Sequence, residues 1–339
     1  MQRYPYLSES QKTPPRLLVI KLSSLGDLFH ALPAATNLRE ALGAATLDWV
    51  TQPEYIELVK CFQGVDRVIG FPRRNFFRQA PAFARELRER TYDYIVDFQG
   101  LLKSALVARL AKGRRRIGPS YAREGSRWLY TSTAGAADKN RHAVEEALDA
   151  IGHLGLQRRD ISFPVRFPAQ PRLEPQPRIA LAPCSRWITK NWPVENFVEV
   201  GRLLQEELNA SLYLIGSPAD RPTCDHINRQ LPHPAVNACG QTTLVGLGSL
   251  LQEMDLLITV DSGPMHMAAA LDKPVVAVFG STDPVRTGPY GSKHRVIVVP
   301  NLACRPCRAR SCARNNLACL HQLSAQQVFT AAAEIAGQI

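Results

Sequence analysis

The chain has 339 residues, of which 45% are hydrophobic and 21% charged, the values of a globular protein long enough for two domains. No apolar run approaches the ~20 residues needed to cross a bilayer. The formal charge is +11 but uneven: Arg16 to Pro168 holds 24 Lys and Arg against 16 Asp and Glu, a net +8, whereas Ala169 onward nets only +2. This basic half fits a solvated face, a nucleic-acid partner, an anionic lipid surface or an acidic acceptor. Against nucleic acid, its aromatics form no stacking pattern and no known binding module is visible.

Residues 1–15 are polar and lack the apolar core of a signal peptide, so they read as a flexible arm on a cytoplasmic protein. The first domain is expected over residues 16–168. Its strands are predicted at 16–21, 47–50, 65–69, 94–97 and 115–118, with helices at 28–42, 79–90 and 142–154. Between the first strand and helix stands Lys21-Leu22-Ser23-Ser24-Leu25-Gly26-Asp27. One glycine is too few for a dinucleotide fingerprint, and no Gly-Lys-Ser/Thr follows as in a Walker loop. The segment does set a carboxylate, Asp27, at a strand-to-helix junction, where it either caps the helix or serves a ligand.

Pro164, Pro168, Pro171, Pro175 and Pro177 fall within fourteen residues, which is linker chemistry and places the linker at 169–178. The second domain, 179–339, restarts with the apolar run from Arg178 to Ala182 and a helix at 194–208; further strands are predicted at 212–216, 256–260 and 274–279. Strands alternating with helices imply doubly wound parallel sheets, hence an α/β fold. After the 256–260 strand comes Asp261-Ser262-Gly263-Pro264-Met265-His266. Proline suits the first position of a helix, and the helix amides and dipole converge where a phosphate could bind. The same pattern also makes a plain capped strand–turn–helix joint.

Eight cysteines occur, four of them as Cys304-x2-Cys307-x4-Cys312-x6-Cys319. In a cytosolic chain such spacing reads as a structural zinc site or as reduced thiols packing a loop. Interleaved arginines (Arg305, Arg308, Arg310, Arg314) would favour thiolates and offset the charge of a four-thiolate zinc. Cys61, Cys184, Cys224 and Cys239 are expected as buried apolar residues.

Four blocks in order carry a resemblance. Ser23-Ser24-Leu25-Gly26-Asp27 with His30 and Pro33, and Asp97-Phe98-Gln99-Gly100-Leu101-Leu102-Lys103-Ser104, resemble the N-terminal blocks of the lipopolysaccharide heptosyltransferases, glycosyltransferase family 9. Ser185-Arg186-Trp187 with Thr189-Lys190-Asn191-Trp192-Pro193 resembles the family's donor-side loop. Asp261-Ser262-Gly263 with His266, then Phe279-Gly280-Ser281-Thr282-Asp283-Pro284, resembles its nucleotide block. The resemblance implies a GT-B architecture, two Rossmann-like domains facing across a cleft, and an inverting transfer of heptose from ADP-heptose to a Kdo/heptose-lipid A acceptor.

On that basis Asp27 is the expected base. Ser185, Lys190, Asp261, Ser262, Gly263 and His266 form the donor site, with Lys190 on the diphosphate and Asp261 accepting from sugar hydroxyls. Ser24, Gly26, Arg73, Arg74, Gln99, Lys103, Arg123 and Arg127 face an anionic, lipid-linked acceptor. No Asp-x-Asp pair is present, and no catalytic metal is expected. The protein would be a monomer, peripheral at the inner leaflet of the cytoplasmic membrane, without a nucleic-acid partner. The alternative is a non-catalytic nucleic-acid or anionic-surface binder with a metal-bound cysteine tail.

Overall fold

A computed structural model describes residues 14–73, 76–138, 140–170 and 177–337. Most of the arm, Arg74 and residues 171–176 of the linker lie outside the described residues. The chain forms two compact units, dividing between Arg166 and Phe167. The first is built on β1 (Arg16–Ile20), β2 (Thr46–Thr51), β3 (Arg67–Gly70), β4 (Thr91–Asp97), β5 (Lys112–Pro119) and β6 (Ser132–Ala134). All pair in parallel, in the order β3-β2-β1-β4-β5-β6.

The second unit repeats this plan with β7 (Arg178–Ala182), β8 (Ser211–Leu214), β9 (Val236–Asn237), β10 (Leu256–Val260), β11 (Val275–Val278) and β12 (Arg295–Ile297). Their order, β12-β11-β10-β7-β8-β9, is the same winding. In both units the direction of winding reverses between the first and fourth strands, and open α/β sheets bind ligands beyond the carboxyl ends at that point. The likeness extends to detail. The amide of Arg16 donates to Asp93 and that of Arg178 to Asp255, each at 2.8 Å and 77 residues away.

The central strands are covered on both faces, which is why they read as unbroken apolar runs. Leu18, Ile20, Val50, Ile69 and Ile95 join Phe83 and Leu87 in the core of the first unit. Ile179, Leu181, Ile258, Val276 and Val278 join Phe197, Leu204 and Val328 in that of the second.

Three strands escape the sequence pattern. β6, β9 and β12 have three, two and three residues at or near sheet edges, too few to set an alternation. Helix ends shift as well. The first helix runs Leu25–Ala41 rather than 28–42, because Ser24 already serves as its N-cap. The helix expected at 79–90 is Phe76–Leu87, since the chain must leave it to enter β4 at Thr91. Cys224 and Cys239 are buried as expected, whereas Cys61 and Cys184 are only half-buried.

Candidate active site

In the first unit the loops after β1 and β4 form one construction. Lys21 is buried and its Nζ donates to the Phe98 carbonyl at 2.9 Å. The Gln99 side-chain oxygen accepts the amides of Leu22 and Ser23, each at 3.1 Å. Asp97 holds the β4 exit in shape: its Oδ1 accepts from the Gln99 and Gly100 amides and its Oδ2 from the Tyr130 hydroxyl at 2.6 Å. Gly100 has φ +70°, a left-handed turn that places a hypothetical Cβ 2.8 Å from Pro119, so a side chain there is excluded twice over. Burial pushes the Asp97 carboxyl above its ordinary pKa, against its hydrogen bonds. Asp97 therefore shapes the loop.

Asp27 lies inside the first helical turn, a consequence of the early helix start. Its Oδ2 accepts from the Ser24 amide and the Ser24 hydroxyl, both at 2.8 Å. Its Oδ1 lies 3.9 Å from His30 Nδ1, and the Asp27 side chain is 43% exposed while that of His30 is 8% exposed. Burial pushes the Asp27 pKa up, but the charges of Lys21 and His30 and the hydrogen bonds from Ser24 outweigh it and hold the carboxyl at about 2. The His30 ring meets that of His142 edge-on, with centroids 5.4 Å apart, and His142 caps the helix Ala143–His153 through Nδ1. Asp27 thus both caps a helix and presents an ionised, half-exposed carboxylate at the winding reversal.

In the second unit the loops after β7, β10 and β11 converge. Lys190 Nζ pairs with Asp261 Oδ2 at 2.7 Å, and the Thr282 hydroxyl donates to the same oxygen at 2.6 Å. Lys190 also lies 4.7 Å from the ring centroid of Trp187. The loop is closed by Asn191, whose side-chain oxygen accepts the Ser185 amide at 2.7 Å, and by the Ser185 hydroxyl, which accepts from the Trp187 amide. Ser262 is the N-cap of the helix Gly263–Ala270, with Pro264 in its first turn and His266 buried. The Ser262 and Thr259 hydroxyls lie 3.0 Å apart. The result is a helix N-terminus beside a paired lysine, suited to an anion.

Known proteins resemble this chain along most of its length. Residues 81–318 match glycosyltransferase family 9 (heptosyltransferase). Lipopolysaccharide heptosyltransferase 1 of Pseudomonas aeruginosa is 30% identical over 321 residues, 88% of this chain and 87% of the relative. The chain belongs to glycosyltransferase family 9. Lipopolysaccharide heptosyltransferase 1 of Escherichia coli (strain K12) is 29% identical over 325 residues, 91% of this chain and 99% of that one. The structure of E. coli heptosyltransferase WaaC with ADP superposes with TM-score 0.77 at 26% identity, covering 94% of this chain and 99% of that chain. The fold of this family 9 glycosyltransferase is GT-B-like, two parallel six-stranded sheets with their helices.

Several of the expected site residues of this family 9 chain have partners within their own unit. Asp261 Oδ2 accepts from Lys190 and Thr282, so this oxygen orients the lysine. Gln99 spends its oxygen on the β1 loop. Arg73 is exposed and faces Glu54 at 3.4 Å. Gly26 is buried within the helix, Ser24 and Lys103 are exposed at the starts of two helices, and Arg123 and Arg127 are exposed on the loop after β5.

The cysteine segment packs on the donor-side loops through its arginines. Arg305 donates to the carbonyls of Gly280, Val299 and Thr282. The Arg308 amide donates to the Ser281 carbonyl and its side chain faces Asp283 at 3.3 Å. The Thr189 hydroxyl donates to the Ala309 carbonyl at 2.6 Å, and Arg310 lies 5.1 Å from the Trp187 ring centroid. Cys304, Cys307, Cys312 and Cys319 are free thiols. Among the described residues no three His, Cys, Asp or Glu are placed to hold a metal ion. Four further side chains contact the expected site residues, His142 in the first unit and Trp187, Thr282 and Arg310 in the second. Trp187 and Thr282 belong to the donor-side and nucleotide blocks of the sequence, but only the folded chain sets them against Lys190 and Asp261.

Proposed function

We propose that this glycosyltransferase transfers heptose from ADP-heptose, with inversion, to the inner core of lipopolysaccharide, on a Kdo/heptose-lipid A acceptor. The observation that carries the reading is the ionised, half-exposed carboxylate of Asp27 at the winding reversal of the first unit. Asp27 takes the proton from an acceptor hydroxyl as that oxygen attacks the anomeric carbon from the face opposite ADP. The bond to the diphosphate breaks, and ADP leaves with the electron pair. Lys190, Arg310, the Ser185 hydroxyl and the amides at the start of Gly263–Ala270 stabilise the charge that develops. Ser262, His266 and Asp261 complete this donor side, Asp261 by holding Lys190.

The acceptor's phosphates and carboxylates are met by Arg73, Arg123, Arg127 and Lys103, with Arg74 as a further candidate. Arginine suits both groups because its planar fork bonds each bidentately. With cations and helix amides supplied by the chain itself, transfer proceeds without a catalytic metal. The protein acts as a monomer in the cytoplasm, peripheral at the inner leaflet. No helix among the described residues is long and apolar enough to cross a membrane.

Incubation with ADP-heptose and a heptose-free acceptor tests the reading. Release of ADP with a heptosylated product, undiminished by EDTA, is expected. An acceptor that stays unmodified while the protein binds RNA or DNA with a steep salt dependence would replace the enzyme with a nucleic-acid binder.

A further inference from the structure

The helix Leu102–Leu110 is apolar on both sides, yet only one side is covered. Ser104, Ala105, Val107 and Ala108 face the unit and are buried. Leu102, Leu106 and Leu110 are 42%, 52% and 37% exposed. At ~100° per residue the three leucines form one stripe opposite the buried face, and Lys103 and Arg109 flank it at roughly 60° on either side. Trp128 stands 90% exposed on the turn Ser126–Leu129. That turn is tied to the helix start. The Leu102 amide donates to Glu124 Oε2 at 3.1 Å, and Gly100 O accepts from the Arg123 amide and the Ser126 hydroxyl. Arg123 and Arg127 are exposed beside Trp128.

We propose that this stripe, with Trp128, seats the protein on an anionic lipid bilayer. Exposed apolar side chains gathered in one patch mark an interaction surface. Leucines and a tryptophan bordered by lysine and arginine are the composition of a helix lying in the membrane interface, where the indole sits at headgroup depth and the cations meet anionic lipid. Glu124, the carboxylate of this turn, is occupied at the helix start. A second copy of the chain fits less well, because a two-fold contact would set Lys103, Arg109, Arg123 and Arg127 against cations of the same set. The proposal deepens the proposed function, since a lipid-linked acceptor is reached at a bilayer surface.

The full-length protein is sedimented with sucrose-loaded vesicles of phosphatidylcholine, with and without one-third phosphatidylglycerol. Binding to the anionic vesicles is expected, and the Leu106→Glu, Trp128→Ala double variant should bind them about tenfold more weakly or worse. Both side chains are exposed, so the variant should keep the wild-type melting temperature. A wild type that ignores anionic vesicles or binds neutral ones equally, or a variant that binds undiminished, overturns the proposal. So does a concentration-dependent dimer that the variant loses. Turnover of ADP-heptose on a de-acylated, water-soluble acceptor is measured in parallel. It should be unchanged in the variant, and its loss there would move the patch into the acceptor site. A wild type without that turnover fails as a heptosyltransferase, whatever the vesicles report.

Discussion

Asp27 gives one carboxylate oxygen to Ser24 and turns the other toward His30. Asn in its place keeps an oxygen to accept from Ser24 but cannot take a proton. Asp27→Asn should therefore lose transfer by about 10²–10⁴-fold with ADP affinity unchanged by calorimetry, and should lose in denaturant unfolding the stability that the ionised carboxylate adds above about pH 4. Retained transfer would remove Asp27 from the chemistry. The Asp27 carboxyl is held at about 2 against an ordinary 3.8. Its contribution to stability is complete above about pH 4 and disappears as pH falls through the folded value. The same depression weakens Asp27 as a base. Acceptor binding must strip water from a carboxylate that is 43% exposed, and desolvation raises a carboxyl pKa. The acidic limb of kcat should then lie at higher pH than that of kcat/KM. Coincident limbs would mean that the acceptor leaves Asp27 in water.

Each unit sets its functional loops at the same joint of the same winding. In the second, Gly280 is where two loops nearly touch. A Cβ there would lie 2.3 Å from the Thr189 carbonyl oxygen and 2.9 Å from Leu320. That carbonyl accepts the Ser281 amide, and Arg305 donates to the Gly280 carbonyl at 2.6 Å. Gly280→Ala should push the Lys190 turn away from Asp261. The expected cost is about 1–3 kcal/mol in denaturant unfolding, together with a raised donor KM and an unchanged acceptor KM. A variant with wild-type donor KM would show that the turn holds its place without this contact. Elements differ in how far they could be read ahead. The helix Val194–Leu208 and the strand Leu256–Val260 appear at their expected bounds, because each has a strong apolar pattern and a defined start. The short strand β9 has only Val236 and Asn237, and backbone pairing alone makes it a strand.

Across the whole molecule the division of charge, +8 over Arg16–Pro168 against +2 from Ala169 onward, suits the division of ligands proposed above. An anionic acceptor suits the first unit and a nucleotide the second. Hydrogen exchange in the presence of ADP should slow amides in the loops around Lys190, Ser262 and Thr282, and in the segment around Arg310. Amides beside Asp27 should be unaffected. With ADP at about 100 times its Kd, the second unit should gain ~2.7 kcal/mol. Protection confined to the loops of the first unit would reverse the assignment of substrates.

By itself the sequence determined the class of fold and the ends of strands that carry chemistry. Apolar runs covered on both faces, and the residues just after them, are local patterns. The family followed from four such patterns in order. Other features waited for the tertiary structure: the pairing of Lys190 with Asp261, the ring of Trp187 against Arg310, and His142 against His30. These contacts join residues far apart in the chain, and strand order decides which loops become neighbours. The exposed leucine stripe of Leu102–Leu110 stayed hidden for a related reason. An apolar helix gives no sign in sequence of which face the sheet leaves uncovered.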